Sequence, residues 1–322
     1  MNIKSFQINE LLQLVSMDLD QAMSQLQNPD AKLWIDLQGF DSDELEEWLD
    51  KFQVEDLARW LCLESQDHCG FYPFKKEICF VIPVLTDTED DREVDYIIFL
   101  CRENLLLTLH SKSILSPEDL GAFQGSDAWL PQRSISGLVS SIVMGMSLEC
   151  LQRSAKLRRS IIGLEEQIEL DADSVPADQI VEIRADLLAF GAMISDQIPP
   201  IKALSRTDKP FFVLNDAKEY MNCAVSNLMS VDRALDWLDG RVETLRGNFQ
   251  MNAQDKTNRR LNMLTILSTI CMPVTLMTGL WGMNFESMPE LSYPHSYPIA
   301  LGFMVLLGSG MYFFFRKNGW FD

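Results

Sequence analysis

Basic side chains are scarce in this 322-residue chain: 27 Lys and Arg stand against 47 Asp and Glu, a net charge of −20. Nucleic acid is therefore excluded as a partner, because duplex affinity comes mainly from Lys and Arg neutralising phosphates. Histidine is rarer still, with three copies, His68, His110 and His295. His68 adjoins Cys69, yet a chelating site needs three or four ligands, so the pair reads as ordinary packing. The seven cysteines contain no CxxC spacing and are odd in number. That argues against a disulfide framework and for a reducing compartment. Only 13 residues are Pro while 47% are hydrophobic, which excludes collagen-like and wholly disordered classes. No glycine-rich phosphate loop and no nucleophile constellation occurs, so neither an enzyme, a resident cofactor nor ATP coupling within the chain is expected. The start MNIKSFQINELLQLV lacks the pattern of a cleavable secretory signal, and none is expected.

Charge is missing from one end altogether. From Leu261 onward the only charged residues are Glu286, Glu290, Arg316, Lys317 and Asp322, so a net −19 belongs to residues 1–260. Two uncharged runs of 25 residues each, 261–285 and 291–315, exceed the roughly 20 residues that cross a hydrocarbon core. They predict membrane spans at about 261–281 and 299–316. Lys256, Arg259 and Arg260 precede the first span, Arg316 and Lys317 close the second, and the connecting loop holds no Lys or Arg. The positive-inside rule then places both termini in the cytoplasm, as in a multi-pass protein of a bacterial inner membrane surrounded by lipid. Tyr293, Tyr297 and Trp281 suit an interfacial aromatic belt, and Trp320 and Phe321 an anchor at the inner face.

The first span carries a stripe. Alternating steps of three and four from Asn258 give Leu261, Thr265, Ser268, Met272, Thr275, Gly279 and Gly282, a heptad seam rich in small, hydroxyl and amide residues. Such residues serve ordinary helix packing in membranes. The same pattern also suits a symmetric pore with one copy of the helix per subunit, with rings of oxygens and apolar constrictions. Two spans leave no room for an aqueous path, so a pore must be oligomeric. Pro273 breaks one backbone bond near Thr269 and predicts a kink. Between Phe211 and Met272 no Pro occurs and only Gly240 and Gly247 interrupt good helix formers, so one long helix is predicted to lead into the span.

After this seam stands Gly282-Met283-Asn284, then MPEL and a second span ending in basic residues. The run TILSTICMPVTLMTGLWGMNFESMPELSY resembles the pore helix and outer loop of the CorA family of divalent-cation channels, whose hallmark is this GMN tripeptide. The close resemblance covers about residues 256–320. It implies a homopentamer in which Asn284 meets the hydration shell of incoming Mg²⁺, an ion that gives up water reluctantly, while Gly282 and Met283 hold the turn. It implies pore-lining oxygens at Gly279, Thr275 and Asn258 and hydrophobic narrowings at Met272, Leu264 and Leu261. Glu286 and Glu290 would concentrate cations at the outer mouth. Mg²⁺, with Co²⁺ beside it, is the implied substrate. Thr278-Gly279-Leu280-Trp281 before the motif also resembles the family's zinc-transporting branch, so Zn²⁺ transport in either direction stays open. A membrane-tethered sensor without transport is the third reading, although an anchor needs neither seam nor motif.

The acidic remainder shows strand-like runs at 3–8, 32–37, 76–85, 94–101 and 105–110, with helices at about 43–64 and 115–125. TDTEDDREVD reads as a hairpin connection. Long helices follow at 134–170 and 177–198, the second ended by Pro199 and Pro200. The expected class is an α+β membrane protein. Its predicted parts are an α/β unit over 1–130, antiparallel helices over 131–209, and a stalk helix continuing into the first span over 210–281. An outer loop over 282–298, the second span over 299–316 and a tail over 317–322 complete it. The resemblance further implies a cytoplasmic funnel in which divalent cations regulate as well as permeate. Acids at its sensor positions are not evident, Cys223 and Leu61 or Cys62 falling near them. Glu64, Asp67 and Asp232 are the nearby substitutes.

Overall fold

The computed structural model describes residues 1–64, 69–85, 94–111, 130–170, 175–283, 288–289 and 293–320. The chain forms two compact units, Met1–Glu243 and Thr244–Asp322.

The first unit is built on a seven-stranded sheet. Its strands are β1 (Asn2–Ile8), β2 (Leu14–Ser16), β3 (Leu33–Gln38), β4 (Gly70–Pro73), β5 (Ile78–Leu85), β6 (Val94–Cys101) and β7 (Leu105–His110), in the order β2-β1-β3-β7-β6-β5-β4. Among the described residues only β3 and β7 pair in parallel. All six residues of β7 and the first five of β3 are buried, which is why these strands read as near-continuous apolar runs. β5 and β6 form the antiparallel hairpin expected across the acidic run, from Ile78 opposite Cys101 to Leu85 opposite Val94. The acidic residues 86–93 lie outside the described residues, as does the helix expected at 115–125.

Leu33, Ile35, Leu37, Leu105, Leu107 and Leu109 share one core with the short helices α1 (Leu19–Gln25), α2 (Ser42–Lys51) and α3 (Asp56–Leu63). Asp41 caps α2 by accepting from the Glu44 N–H at 2.7 Å, and the Glu44 carboxylate accepts from the Asp41 N–H, a capping box. The single helix predicted at 43–64 is thus two helices. Gln53 takes a left-handed φ of 51° between them. Arg102 holds this bend from 50 residues away, donating to the Phe52 and Gln53 carbonyls at 2.7 and 2.9 Å and pairing with buried Glu77 at 2.7 Å. Trp34, Phe80 and Phe99 are fully buried; the rings of Phe80 and Phe99 stack at 4.5 Å, and Trp34 lies 5.1 Å from Phe6. A buried polar chain runs between β3 and β7: Trp34 Nε1 donates to Thr108 Oγ1, and Thr108 and His110 both meet Asp36 Oδ1.

Long helices complete the unit. α4 (Ile135–Leu170) is apolar enough to cross a membrane by length and composition, but its most apolar window is 67% buried within the chain, so that surface is domain core. α5 (Ala177–Leu204) runs on through Pro199 and Pro200, correcting the predicted stop. The two prolines deprive the Ser195 and Asp196 carbonyls of ladder partners. Burial of Ile201 and Leu204, and a 2.6 Å bond from Gln197 Nε2 to the Pro83 carbonyl, hold the helix nonetheless. A 3₁₀ turn at Asn215–Ala217 precedes α6 (Lys218–Trp281), which begins later than the proline-free stretch that opens at Phe211. Gly240 and Gly247 do not interrupt it. In the first unit α6 buries Met221, Ala224, Leu228, Val231, Leu235, Leu238 and Val242. Its polar flank is tied by Arg184 to Asp239 and Glu243, and by Arg241 to Glu165.

The second unit holds the C-terminal part of α6 and α7 (Ser296–Lys317). α7 contains the span expected at 299–316, with Arg316 and Lys317 in its last turn. Both α6 and α7 satisfy the length and hydropathy of a membrane-spanning helix, with windows only 6% buried within the chain.

Candidate ion pathway

The seam lies on the open side of α6. Ile266 is 3% exposed, and Thr269, Ile270, Pro273, Val274 and Met277 are half-buried, so this side of the helix faces the rest of the unit. Ile270 is in contact range of Gly308 on α7, 3.8 Å from where a Cβ would stand. On the other side Asn258, Leu261, Leu264, Thr265, Ser268, Met272, Thr275 and Gly279 are all exposed, Met272 by 71%. The seam is thus bare in a single chain, as are Met263, Leu267, Leu276 and Leu280 beside it. Ser268, Met272, Thr275, Gly279 and Met283 line a groove of about 650 Å³ along it.

The hydroxyls on this helix are already oriented. Thr265 donates to the Leu261 carbonyl at 2.8 Å, Thr269 to Thr265 at 2.7 Å and Thr275 to Cys271 at 2.9 Å. Each threonine proton is thus used by its own helix, leaving the hydroxyl oxygen as an acceptor. On the seam, Thr265 and Thr275 therefore offer lone pairs suited to a cation or to the water around it. α6 continues through Pro273, whose missing N–H leaves the Thr269 carbonyl without a ladder partner. No carboxylate stands on the seam, so the arrangement suits an ion that keeps its hydration shell rather than one stripped and chelated.

The helix ends where the motif starts. The Gly282 N–H donates to the Thr278 carbonyl at 2.9 Å, and a Cβ at Gly282 would lie 3.0 Å from that same oxygen. A side chain there would press on the last turn, which accounts for glycine. Met283 is 47% exposed. Asn284, Glu286 and Glu290 lie outside the described residues. Beside this end, Trp281, Tyr293, Tyr297, Phe303 and Met304 line an apolar cavity of about 870 Å³ in the second unit. These include the aromatic residues assigned to the interfacial belt, Tyr297 being 80% exposed. At the other end of α7, Trp320 packs edge-on against Phe315 with ring centroids 5.4 Å apart.

The regulatory candidates are dispersed. Glu64 is the residue closing α3, and Asp232 on α6 accepts a 3.3 Å bond from Ser195. Asp67 lies outside the described residues, as does His68. Among the described residues no three His, Cys, Asp or Glu side chains gather to hold a metal within one chain. Three thiols of the first unit, Cys69, Cys101 and Cys150, are poor ligands at neutral pH. Burial raises Cys101 and, together with Glu149, pushes Cys150 up to about 12; burial and then Asp196 push Cys69 up to about 11. The backward hydrogen bonds of the seam threonines went unread in the sequence, although a hydroxyl four residues after a carbonyl in a helix is a usable signal.

The family model for the CorA-like Mg²⁺ transporter protein matches residues 30–317. A Bacillus subtilis protein named as a metal ion transporter, YfjQ, is 25% identical over 315 residues, 93% of either chain. The cobalt/magnesium transport protein CorA of Thermotoga maritima is 26% identical over 165 residues, a match spanning about half of each, 51% of this chain and 47% of that one. The complete structure of the CorA magnesium transporter from Methanocaldococcus jannaschii superposes with a TM-score of 0.81 at 17% identity, covering 99% of both chains, which establishes likeness of fold.

Proposed function

The chain belongs to the CorA family, and from that premise we propose that it is a homopentameric pore for divalent cations in the bacterial inner membrane, with both termini cytoplasmic and Mg²⁺ as its substrate. The observation that carries this is the bare, carboxylate-free seam of α6, with threonine lone pairs turned outward, running to the glycine that opens the GMN motif. Five seams around an axis enclose a path that two spans alone cannot. Asn258, Thr265, Ser268, Thr275 and Gly279 line it with oxygens, Leu261, Leu264 and Met272 narrow it, and Asn284 receives the hydrated ion. Glu286 and Glu290 raise the cation concentration outside.

Thr278-Gly279-Leu280-Trp281 favours Zn²⁺ as the second substrate to test. Expression in a bacterium stripped of its own Mg²⁺ uptake systems is expected to restore growth at Mg²⁺ concentrations where the parent stops. Growth unrestored by Mg²⁺, accompanied by altered Zn²⁺ tolerance, would exchange the two ions.

A further inference from the structure

The apolar cavity at the Gly282 end of the second unit takes no part in the pathway along the seam. Thr278 and Trp281 line it from α6, whereas Thr275, Gly279 and Met283 line the groove on the seam. Its volume of about 870 Å³ lies within the range of small-molecule sites, about 300–1,000 Å³.

The cavity is graded from one end to the other. Trp281, the last residue of α6, stands at one end with Tyr293 and Tyr297 around the start of α7, while Ala300, Phe303 and Met304 continue it along α7. From Tyr297 to Met304 the helix rises about 10 Å, most of the roughly 15 Å that one leaflet contributes to the hydrocarbon core. Among the described residues no charged side chain lines it.

The polar end consists of unused donors. Trp281 carries an indole N–H and Tyr293 and Tyr297 each a phenol O–H, and among the described residues none of the three side chains has a hydrogen-bond partner. The hydroxyls of Thr278 and Ser296 are different: they donate to the Thr275 and Tyr293 carbonyls, each at 2.9 Å. Three donors above an apolar slot match a molecule with oxygen acceptors at one end and hydrocarbon at the other. An apolar helix from a second copy of the chain would fill the slot but cover the donors without offering them acceptors, which is costly.

We propose that this cavity is a phospholipid site, with one acyl chain against Phe303 and Met304 and the ester and phosphate oxygens accepting from Trp281, Tyr293 and Tyr297. The site rests on the membrane placement of α6 and α7 and not on the pore. With no basic side chain lining it among the described residues, the headgroup is held by hydrogen bonds rather than by ion pairs. A zwitterionic lipid therefore serves as well as an anionic one.

The test is the thermal midpoint of the full-length protein, purified in an alkyl maltoside and washed free of lipid, as dioleoyl phosphatidylethanolamine or dioleoyl phosphatidylglycerol is titrated in. Either lipid is expected to raise the midpoint by about 5 °C at saturation. Tyr293→Phe combined with Tyr297→Phe removes two exposed donors and should shift the titration to about tenfold more lipid. Ala300→Phe, which fills the slot, should abolish the rise while the variant elutes at the size of the wild type. A wild type that does not respond overturns the site, and so does an equal response in every variant, which would place the lipid elsewhere. An equal rise with oleyl alcohol at the same concentration overturns recognition of the ester and phosphate oxygens, and a rise with phosphatidylglycerol alone overturns recognition without charge. A changed assembly size in Ala300→Phe overturns the lipid site and gives the slot to a neighbouring subunit. None of these readings requires ion flux, so failure of the pore and failure of the lipid site are distinguishable.

Discussion

Asn284→Ala is expected to bring Mg²⁺ flux down to the level of protein-free liposomes while the variant assembles and elutes as the wild type does. The magnitude follows from what remains without it. The described seam carries no carboxylate, Gly282 contributes only backbone, and Met283 is apolar. The motif's amide is thus the one polar side chain it offers to the first water shell of the ion. A lost hydrogen bond to a charged species costs about 1.5–3 kcal/mol, and symmetry removes every copy at once, so a loss of at least about 100-fold is expected. Asn284→Asp separates charge from shape: it keeps oxygen at the entrance and should bind the ion more tightly while passing it more slowly. Wild-type flux in Asn284→Ala would remove Asn284 from the selectivity role.

Arg102→Ala should strongly destabilise the first unit. The Glu77 side chain is fully buried and pairs with Arg102 Nη2 at 2.7 Å, while its other oxygen accepts from the Glu55 N–H at 2.9 Å. Removing the guanidinium strands a buried carboxylate and frees the Phe52 and Gln53 carbonyls at the left-handed bend. Breaking a buried pair from one side costs about 3–5 kcal/mol. The measurement is the thermal midpoint of the detergent-solubilised protein. The double variant Glu77→Gln, Arg102→Met should recover part of the loss, because no charge is then left unpaired. A midpoint unmoved by Arg102→Ala would show that Glu77 finds another partner.

Some of this fold is written locally and some is not. The spans are legible because a membrane forbids charge over about 20 residues, and 261–285 and 291–315 contain none. β3, β5, β6 and β7 are legible because burial on both faces leaves runs such as ICFVIPVL. β2 and β4, of three and four residues, lack length for any period to show, and they border the sheet, where pairing partners decide. Gln53 carries no turn signature; its left-handed backbone is imposed by Arg102, remote in sequence. Pro199 and Pro200 mislead because a stop signal acts through two missing hydrogen bonds, and packing of Ile201 and Leu204 outweighs them. In the pathway, the seam from Asn258 to Gly282 follows from period alone. What period does not reveal is the direction of each threonine proton.

The proposed pore is tested most directly by Mg²⁺ entry into liposomes containing only the purified wild-type protein, read with an entrapped Mg²⁺-sensitive dye against protein-free vesicles. The account predicts entry down the gradient, without ATP, accelerated by an inside-negative potential. No entry of Mg²⁺, Co²⁺ or Zn²⁺ above the protein-free vesicles would contradict it.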